Sequence, residues 1–308
     1  MSDRWAALIN LAQDKQERLV AMVTAMGIRA VPMGWDQLTD PAPSDPQPST
    51  LPALLIAHGE EFSRENVRRE WHRPEEVQRT IVLLAPAALT AETLRIQIHY
   101  DVFNVIPDAL WNDPLCFERT MRGLLFPEEM FDVSRFVSNA TTFKRFLITN
   151  LDEKHQVADE VAELARPFAE ASQRIRDIRL IITELTNNAF FHSFLGDEGE
   201  EKYSPRRFLQ LEQKDRVLLE TAISEEAICM AVEDNRGTLK PQQALKYLLR
   251  QTSGEGVYDS HGRGFYLISN LVNHLDICLV PGVRMRVVAL IHIKPASPVR
   301  TLNFFVCR

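Results

Sequence analysis

The sequence predicts an α/β protein in two parts, a doubly wound α/β half and then an α+β sandwich. Three observations carry this. Residues 6–107 alternate short, continuously apolar runs with helix-like segments, as expected when a parallel sheet is wrapped by helices. Arg216–Ile223 and Ala227–Glu233 instead alternate apolar and polar residues, the mark of antiparallel strands packed on one face. Between these regions, Ile178, Ile181, Ile182, Leu185 and Ala189 recur at helical spacing, so Ile178–His192 can turn one stripe toward a core. A chain of 308 residues suffices for about two domains.

Composition removes several classes of function. A net charge of −7 argues against a general nucleic-acid or anionic-membrane surface. No apolar run approaches the length of about 18 residues needed to cross a bilayer. Met1-Ser-Asp-Arg-Trp5 lacks the basic segment and clean apolar run of a secretion signal, so the cytoplasm is the expected address. Cys116, Cys229, Cys278 and Cys307 have no paired spacing, which favours idle buried thiols over disulfides or a zinc site.

In chain order, Ala6–Ala12 is a short apolar run. Asp14–Met26 carries Leu19, Val20, Val23 and Met26 at helical spacing and is stopped by Gly27. Ile28–Met33 reads as the next strand and Trp35–Thr39 as a short helical turn. Pro41–Thr50 is too rich in proline and polar residues to pack and reads as a loop. Leu54–Ala57 and Thr80–Ala85 are expected as buried parallel strands, with the charged helix-like Phe62–His72 between them. Leu89–Tyr100, Val102–Ile106 and Pro114–Leu125 complete the half as helix, strand and closing helix.

This order of elements resembles the receiver (flavodoxin-like) domain of bacterial response regulators. The resemblance is of pattern, and it implies a degenerate member. A working receiver needs clustered acids to hold magnesium, a phospho-accepting aspartate after its third strand, and a lysine after its fifth. Here those places read Asn10-Leu-Ala12, Ala57-His58-Gly59 and Ile106-Pro107. Without clustered carboxylates a hard cation has no ligands. His58 reads as a structural strand-end histidine, and the half as a docking or dimerisation module without chemistry. The divisions expected are residues 1–126, a linker at 127–141 in which Phe126, Met130, Phe131 and Phe136 can pack on either neighbour, and a domain at 142–308.

In the last part, Thr142–Asn150 reads as a strand. Asp152 is expected to cap a helix to about Arg166, with Val157, Val161 and Leu164 buried and Pro167 ending it. The helix containing Ile178–His192 starts near Gln173. Gly196–Pro205 reads as an exposed acidic loop, followed by strands at Phe208–Leu211, Arg216–Ile223 and Ala227–Glu233. A polar helix near Gln242–Arg250, a glycine-rich loop Ser253–Gly264 and a helix Phe265–Asn273 come next. Strands His274–Val280 and Val283–Ile293, with an edge strand Leu302–Val306, close the chain.

Three features in this part carry chemistry. Glu184 and Asn188 are four residues apart, so a carboxylate and an amide share one side of their helix. Alone, such a pair reads as two solvated residues. At the end of a strand, Asp234 is placed where a buried carboxylate accepts from an exocyclic amine, and Gly237 lets backbone approach a flat ring. In His261-Gly-Arg-Gly264, glycines precede a helix whose N–H groups and dipole suit a polyphosphate.

In this order the three resemble the nucleotide-binding boxes of the GHKL ATPases, the superfamily of gyrase, Hsp90, histidine kinases and MutL. Within it the chain is most similar to the anti-sigma-factor serine kinases, over about residues 140–295. The N-box is Glu184-Leu-Thr-Asn-Asn188-Ala, followed by His192. The G1 box is Asp234…Gly237, and the G2 box is Gly262-Arg-Gly264. The resemblance implies ATP and Mg2+ as cofactors. It implies Glu184 as general base, Asn188 as magnesium ligand, Asp234 as reader of the adenine amine, and Gly237 lining the ring. Gly262, Arg263 and Gly264 would hold phosphates, with residues 240–261 as a lid. His192 reads as a core or helix-end histidine. Two departures stand out: Arg236 occupies the place of the first G1 glycine, and the Gly-Thr of a further box is not evident near Gly282-Val-Arg284.

Three functions fit. The first is a protein-serine kinase of the anti-sigma type acting on an anti-anti-sigma-like or other signalling protein. The second is a non-catalytic, ATP-responsive binding switch, which Arg236 and the missing box favour. The third, a sensor histidine kinase, is disfavoured because His155 is the sole upstream candidate acceptor and too few residues intervene for its helical hairpin. A homodimer is compatible with each.

Overall fold

The computed structural model describes residues 5–34, 54–59, 81–110, 113–137, 139–168, 172–196, 199–204, 210–256, 263–293 and 299–307. The expected turn at Trp35–Thr39, the loop Pro41–Thr50 and the helix Phe62–His72 lie outside them. The chain divides into two compact units, Met1–Leu125 and Phe126–Arg308.

In the first unit, strands β1 (Trp5–Ile9), β2 (Arg29–Met33), β3 (Leu54–His58), β4 (Ile81–Ala85) and β5 (Asn104–Pro107) pair in parallel in the order β2-β1-β3-β4-β5. That is a doubly wound strand order. The continuous apolar runs are what a parallel sheet demands: Leu54, Leu55, Ile56 and Ala57 are all fully buried. Helix α1 (Gln13–Ala25) buries Leu19 and Val23, and Gly27 then adopts φ +74°, which ends it. Helix α2 (Ala91–Tyr100) is capped by Thr90, whose hydroxyl accepts from the Thr93 N–H at 3.1 Å. Helix α3 (Pro114–Leu125) closes the unit. At the carboxyl ends of the strands, Asp108 lies 3.3 Å from Lys15 and 3.5 Å from His58, so His58 belongs to a charged cluster and not to the apolar core.

The second unit is a mixed sheet with helices. Its strands β6 (Thr142–Ile148), β7 (Val217–Ile223), β8 (Ala227–Asp234), β9 (His274–Val280), β10 (Arg284–His292) and β11 (Thr301–Val306) run in the order β11-β9-β10-β8-β7-β6. Only the β11–β9 pairing among them is parallel. The helices are α4 (Leu151–Ala165), α5 (Ser172–His192), α6 (Pro241–Thr252) and α7 (Arg263–Leu271). Helix α5 contacts α4, α7, β7 and β8, so the layer is organised around it. Its stripe is buried as expected, with Ile178, Ile181 and Ile182 fully inaccessible and Leu185 and Ala189 nearly so. Each large side chain of that stripe contributes roughly 1.5–3 kcal/mol of transfer free energy.

Several expectations are corrected. The cap of α4 is Asn150, not Asp152. The Asn150 Oδ1 accepts from the Glu153 N–H at 2.9 Å, and Glu153 reaches back to the Thr149 N–H at 2.7 Å. This reciprocal arrangement satisfies two orphan donors at once, which a charged first-turn Asp152 does not do. The expected strand Phe208–Leu211 is described only at its last two residues, and neither is extended ladder; Leu211 instead donates to the Thr149 carbonyl at 2.8 Å. Residues 127–141, expected as a linker, begin with two 3-10 turns (Pro127–Phe131 and Val133–Arg135) grouped with the second unit. Met130 and Phe131 are buried there, and the Arg284 guanidinium stacks 3.9 Å from the Phe131 ring centre, while Phe126 is exposed. All four cysteines are buried and unbridged. Among the described residues no helix is long and apolar enough to cross a membrane.

Candidate nucleotide site

Helix α5 presents Glu184, Asn187 and Asn188 half-buried, between α4 and the start of α7. From α4 comes Lys154, itself buried, whose ammonium donates to the Asn187 Oδ1 at 2.9 Å. From α7 come Arg263, which is exposed, and Gly264. A methyl group built on Gly264 would lie 2.4 Å from the Glu184 Oε2 and 3.5 Å from the Asn188 Oδ1. The first turn of α7 thus sits directly against the carboxylate–amide pair. Gly262 lies outside the described residues, as do residues 257–261 of the expected lid; the earlier part of that lid is helix α6.

Burial pushes the Glu184 carboxyl above its ordinary range, opposed by the charges of Lys154 and Arg263. Burial likewise lowers the Lys154 ammonium, opposed by Glu184. A half-buried carboxylate of raised basicity is suited to accept a proton, and an amide oxygen beside it is a hard-cation ligand.

The second part of the site lies where β8 ends. Asp234 is 1% exposed. Its Oδ1 accepts from the backbone N–H of Arg236 (2.9 Å) and Gly237 (3.0 Å), and its Oδ2 accepts from the Ser193 hydroxyl (2.8 Å) just beyond α5. Burial raises this carboxyl, and the three donors moderate the rise. An ionised carboxylate offers about four acceptor positions, and these donors take three of them.

Gly237 has φ +61°, and a methyl group on it would lie 2.4 Å from the Val280 carbonyl oxygen and 2.8 Å from that of Arg284. Its glycine identity therefore serves a close approach to the β9–β10 turn, whose Gly282 N–H donates to the Gly237 carbonyl at 3.1 Å. Arg236 turns its guanidinium onto Asp215, where Nε is 3.1 Å from Oδ1 and Nη2 pairs with the same oxygen. Asp215 is fully buried at its side chain and also accepts from Lys202 (2.6 Å) and Tyr203 (2.7 Å). Burial alone would raise its carboxyl, but the hydrogen bonds from Lys202, Arg236 and Tyr203 outweigh it and hold the group below its usual range. His192 is a helix-end residue, half exposed, with its Nδ1 2.6 Å from the Glu201 Oε1.

The structure brings together Glu184, Asn188 and Gly264 in one cluster and Asp234, Gly237 and Ser193 in another, both anchored on α5. Lys154, Ser193 and Asp215 were not singled out in the sequence. Lys154 had a signal: it precedes Val157 by three and Val161 by seven residues, on the buried stripe of α4.

The residues fit a magnesium–nucleotide. Among the described residues no group of three or more His, Cys, Asp or Glu could hold a metal alone. Magnesium is held by few protein oxygens together with substrate phosphates and waters, which one amide oxygen at Asn188 allows. Glycine at 264 keeps the approach to that amide open, and Asp234 retains an acceptor.

Residues 149–287 match the family model of the histidine kinase-like ATPase domain, a stretch that contains Lys154, Glu184, Asn188, Asp234 and Gly264. Comparison with curated proteins finds no match.

Proposed function

We propose that the second unit, whose residues 149–287 match the histidine kinase-like ATPase domain, binds ATP with Mg2+ and is a protein-serine kinase of the anti-sigma type. The observation that carries this is Gly264 seated against both Glu184 and Asn188. It joins the base candidate, the cation ligand and the start of a phosphate-facing helix at one spot. In this reading Asn188 would hold the magnesium, and Arg263 and Gly264 would border the phosphates. Magnesium would neutralise charge on the phosphoryl group being transferred. Glu184 accepts the proton of the attacking hydroxyl, its basicity raised by burial, while Lys154 fixes the neighbouring Asn187 and adds positive charge nearby. Asp234 selects adenine by accepting from its amine.

The first unit then acts as a receiver-like docking or dimerisation module for a signalling protein, with no chemistry of its own. A second reading, an ATP-responsive binding switch, is favoured by Asp234 being only 1% exposed, since base recognition then requires the pocket to open. Incubation with γ-labelled ATP separates the two. Transfer to a protein or to water that falls about 10²–10⁴-fold in Glu184→Ala supports the kinase or ATPase. Binding without turnover supports the switch, and absence of binding sinks both.

A further inference from the structure

Resting on the adenine-nucleotide reading above, we infer that Asp215 and Arg236 form a positioning clamp that aims Asp234 at the base and sets adenine selectivity. Neither residue meets the base itself. Asp215 accepts two hydrogen bonds from Arg236, one from Lys202 and one from Tyr203. These occupy the roughly four acceptor positions of a carboxylate, so none is left for a ligand. Its influence passes through Arg236, whose own N–H is bound to the Asp234 Oδ1 at 2.9 Å.

The turn at 234–237 is tied to the 214–216 segment at more than this point. The Asn235 Oδ1 accepts from the Arg216 N–H, and its Nδ2 donates to the Lys214 carbonyl, each at 2.8 Å. On the other side, Lys202 and Tyr203 link Asp215 to a segment whose Glu201 reaches His192 at the end of α5. Ser193, one residue on, donates back to Asp234 at 2.8 Å. The bonds close a circuit from the helix bearing Glu184 and Asn188, through the base-reading carboxylate, and back. Arg236 thus adds an ion pair to a turn that the Asn235 amide and the Asp234 carboxylate also hold. Asp215 is fully buried and Arg236 partly exposed, and their charge-assisted hydrogen bonds are directional, so the pair favours one orientation of the turn that carries Asp234.

The test measures dissociation constants for ATP and GTP in the full chain, for wild type, Arg236→Gln, Asp215→Asn and the double variant. GTP carries a carbonyl where ATP carries the amine, so the GTP-to-ATP ratio reports the aim of Asp234. Loss of the clamp is expected to lower ATP affinity about tenfold in either single variant, the lower end of the loss seen when a partner that orients a metal ligand is removed. The ratio should shrink equally, and the double variant should be no worse than the weaker single, because the pair acts as one unit. Should Asp215→Asn not fold, Arg236→Gln carries the test alone, since it leaves Lys202 and Tyr203 on Asp215. Folded variants with lowered melting temperature but both constants within twofold of wild type overturn the inference while sparing the nucleotide site. Wild type that binds neither nucleotide overturns both.

Discussion

Gly264→Ala probes the contact on which the site is built. The added methyl group would fall 2.4 Å from the Glu184 Oε2 and 3.4 Å from its Cδ. Ordinary contact requires the carboxylate to retreat by about 1 Å, because the obstacle is the far end of a flexible side chain and not backbone. The fold therefore accommodates the change. Alanine is also the better helix former by up to ~1 kcal/mol, so the melting temperature should hold or rise slightly. Displacement of a reacting group by about 1 Å costs on the order of 10² in rate, equivalent to ~2.7 kcal/mol. Phosphoryl transfer from ATP should thus fall about 100-fold at unchanged stability, read by γ-phosphate release beside a thermal melt. Turnover within twofold of wild type, with an intact melt, would refute the argument that Gly264 and Glu184 share one site.

Further expectations concern the cation, the clamp and the helix cap. In Asn188→Ala, nucleotide affinity by calorimetry should no longer increase with magnesium, since the amide ligand is gone; a preserved magnesium increment would assign the cation elsewhere. Asp215 has a folded-state pKa below its unfolded value, so its ionised form stabilises the fold fully above the ordinary carboxylate range, and that stability is lost as pH falls through the folded pKa. Urea melts should show Asp215→Asn less stable than wild type by about 1–3 kcal/mol near pH 7, with the gap narrowing as pH falls below the ordinary carboxylate range; a constant gap contradicts the sign. Asn150→Ala should cost ~1 kcal/mol of stability through loss of the α4 cap and leave nucleotide affinity unaltered, and no change in the melt would mean that Glu153 alone holds that end.

Periodicity made much of this legible. The stripe of α5 follows from side-chain spacing alone, because burial there is decided by one face of one helix. The pairing of Glu184 with Asn188 is likewise a local fact of helix geometry. What spacing cannot carry is a partner far along the chain. Asp215 sits in Glu212-Gln-Lys-Asp215, a stretch with every mark of a solvated turn, and its burial arises only when Lys202, Tyr203 and Arg236 converge on it. Arg236 read only as a departure from the G1 pattern, because its direction depends on that distant carboxylate. Gly237 was legible as a glycine with a purpose, but the purpose lies in the carbonyls of Val280 and Arg284, more than forty positions away. Lys154 was hidden by its charge, which argues for solvent, although its position on the α4 stripe argues for the interior.

The central claim is an adenine nucleotide held between α5, the end of β8 and the start of α7. Calorimetric titration of the full chain with ATP, with and without magnesium, tests it most directly. The account expects saturable one-site binding that tightens with magnesium and is weakened in Asp234→Asn, whose oxygen can still accept from the Arg236 and Gly237 N–H groups but whose NH2 replaces the other acceptor with a donor. No heat of binding for ATP or ADP in either condition would contradict it.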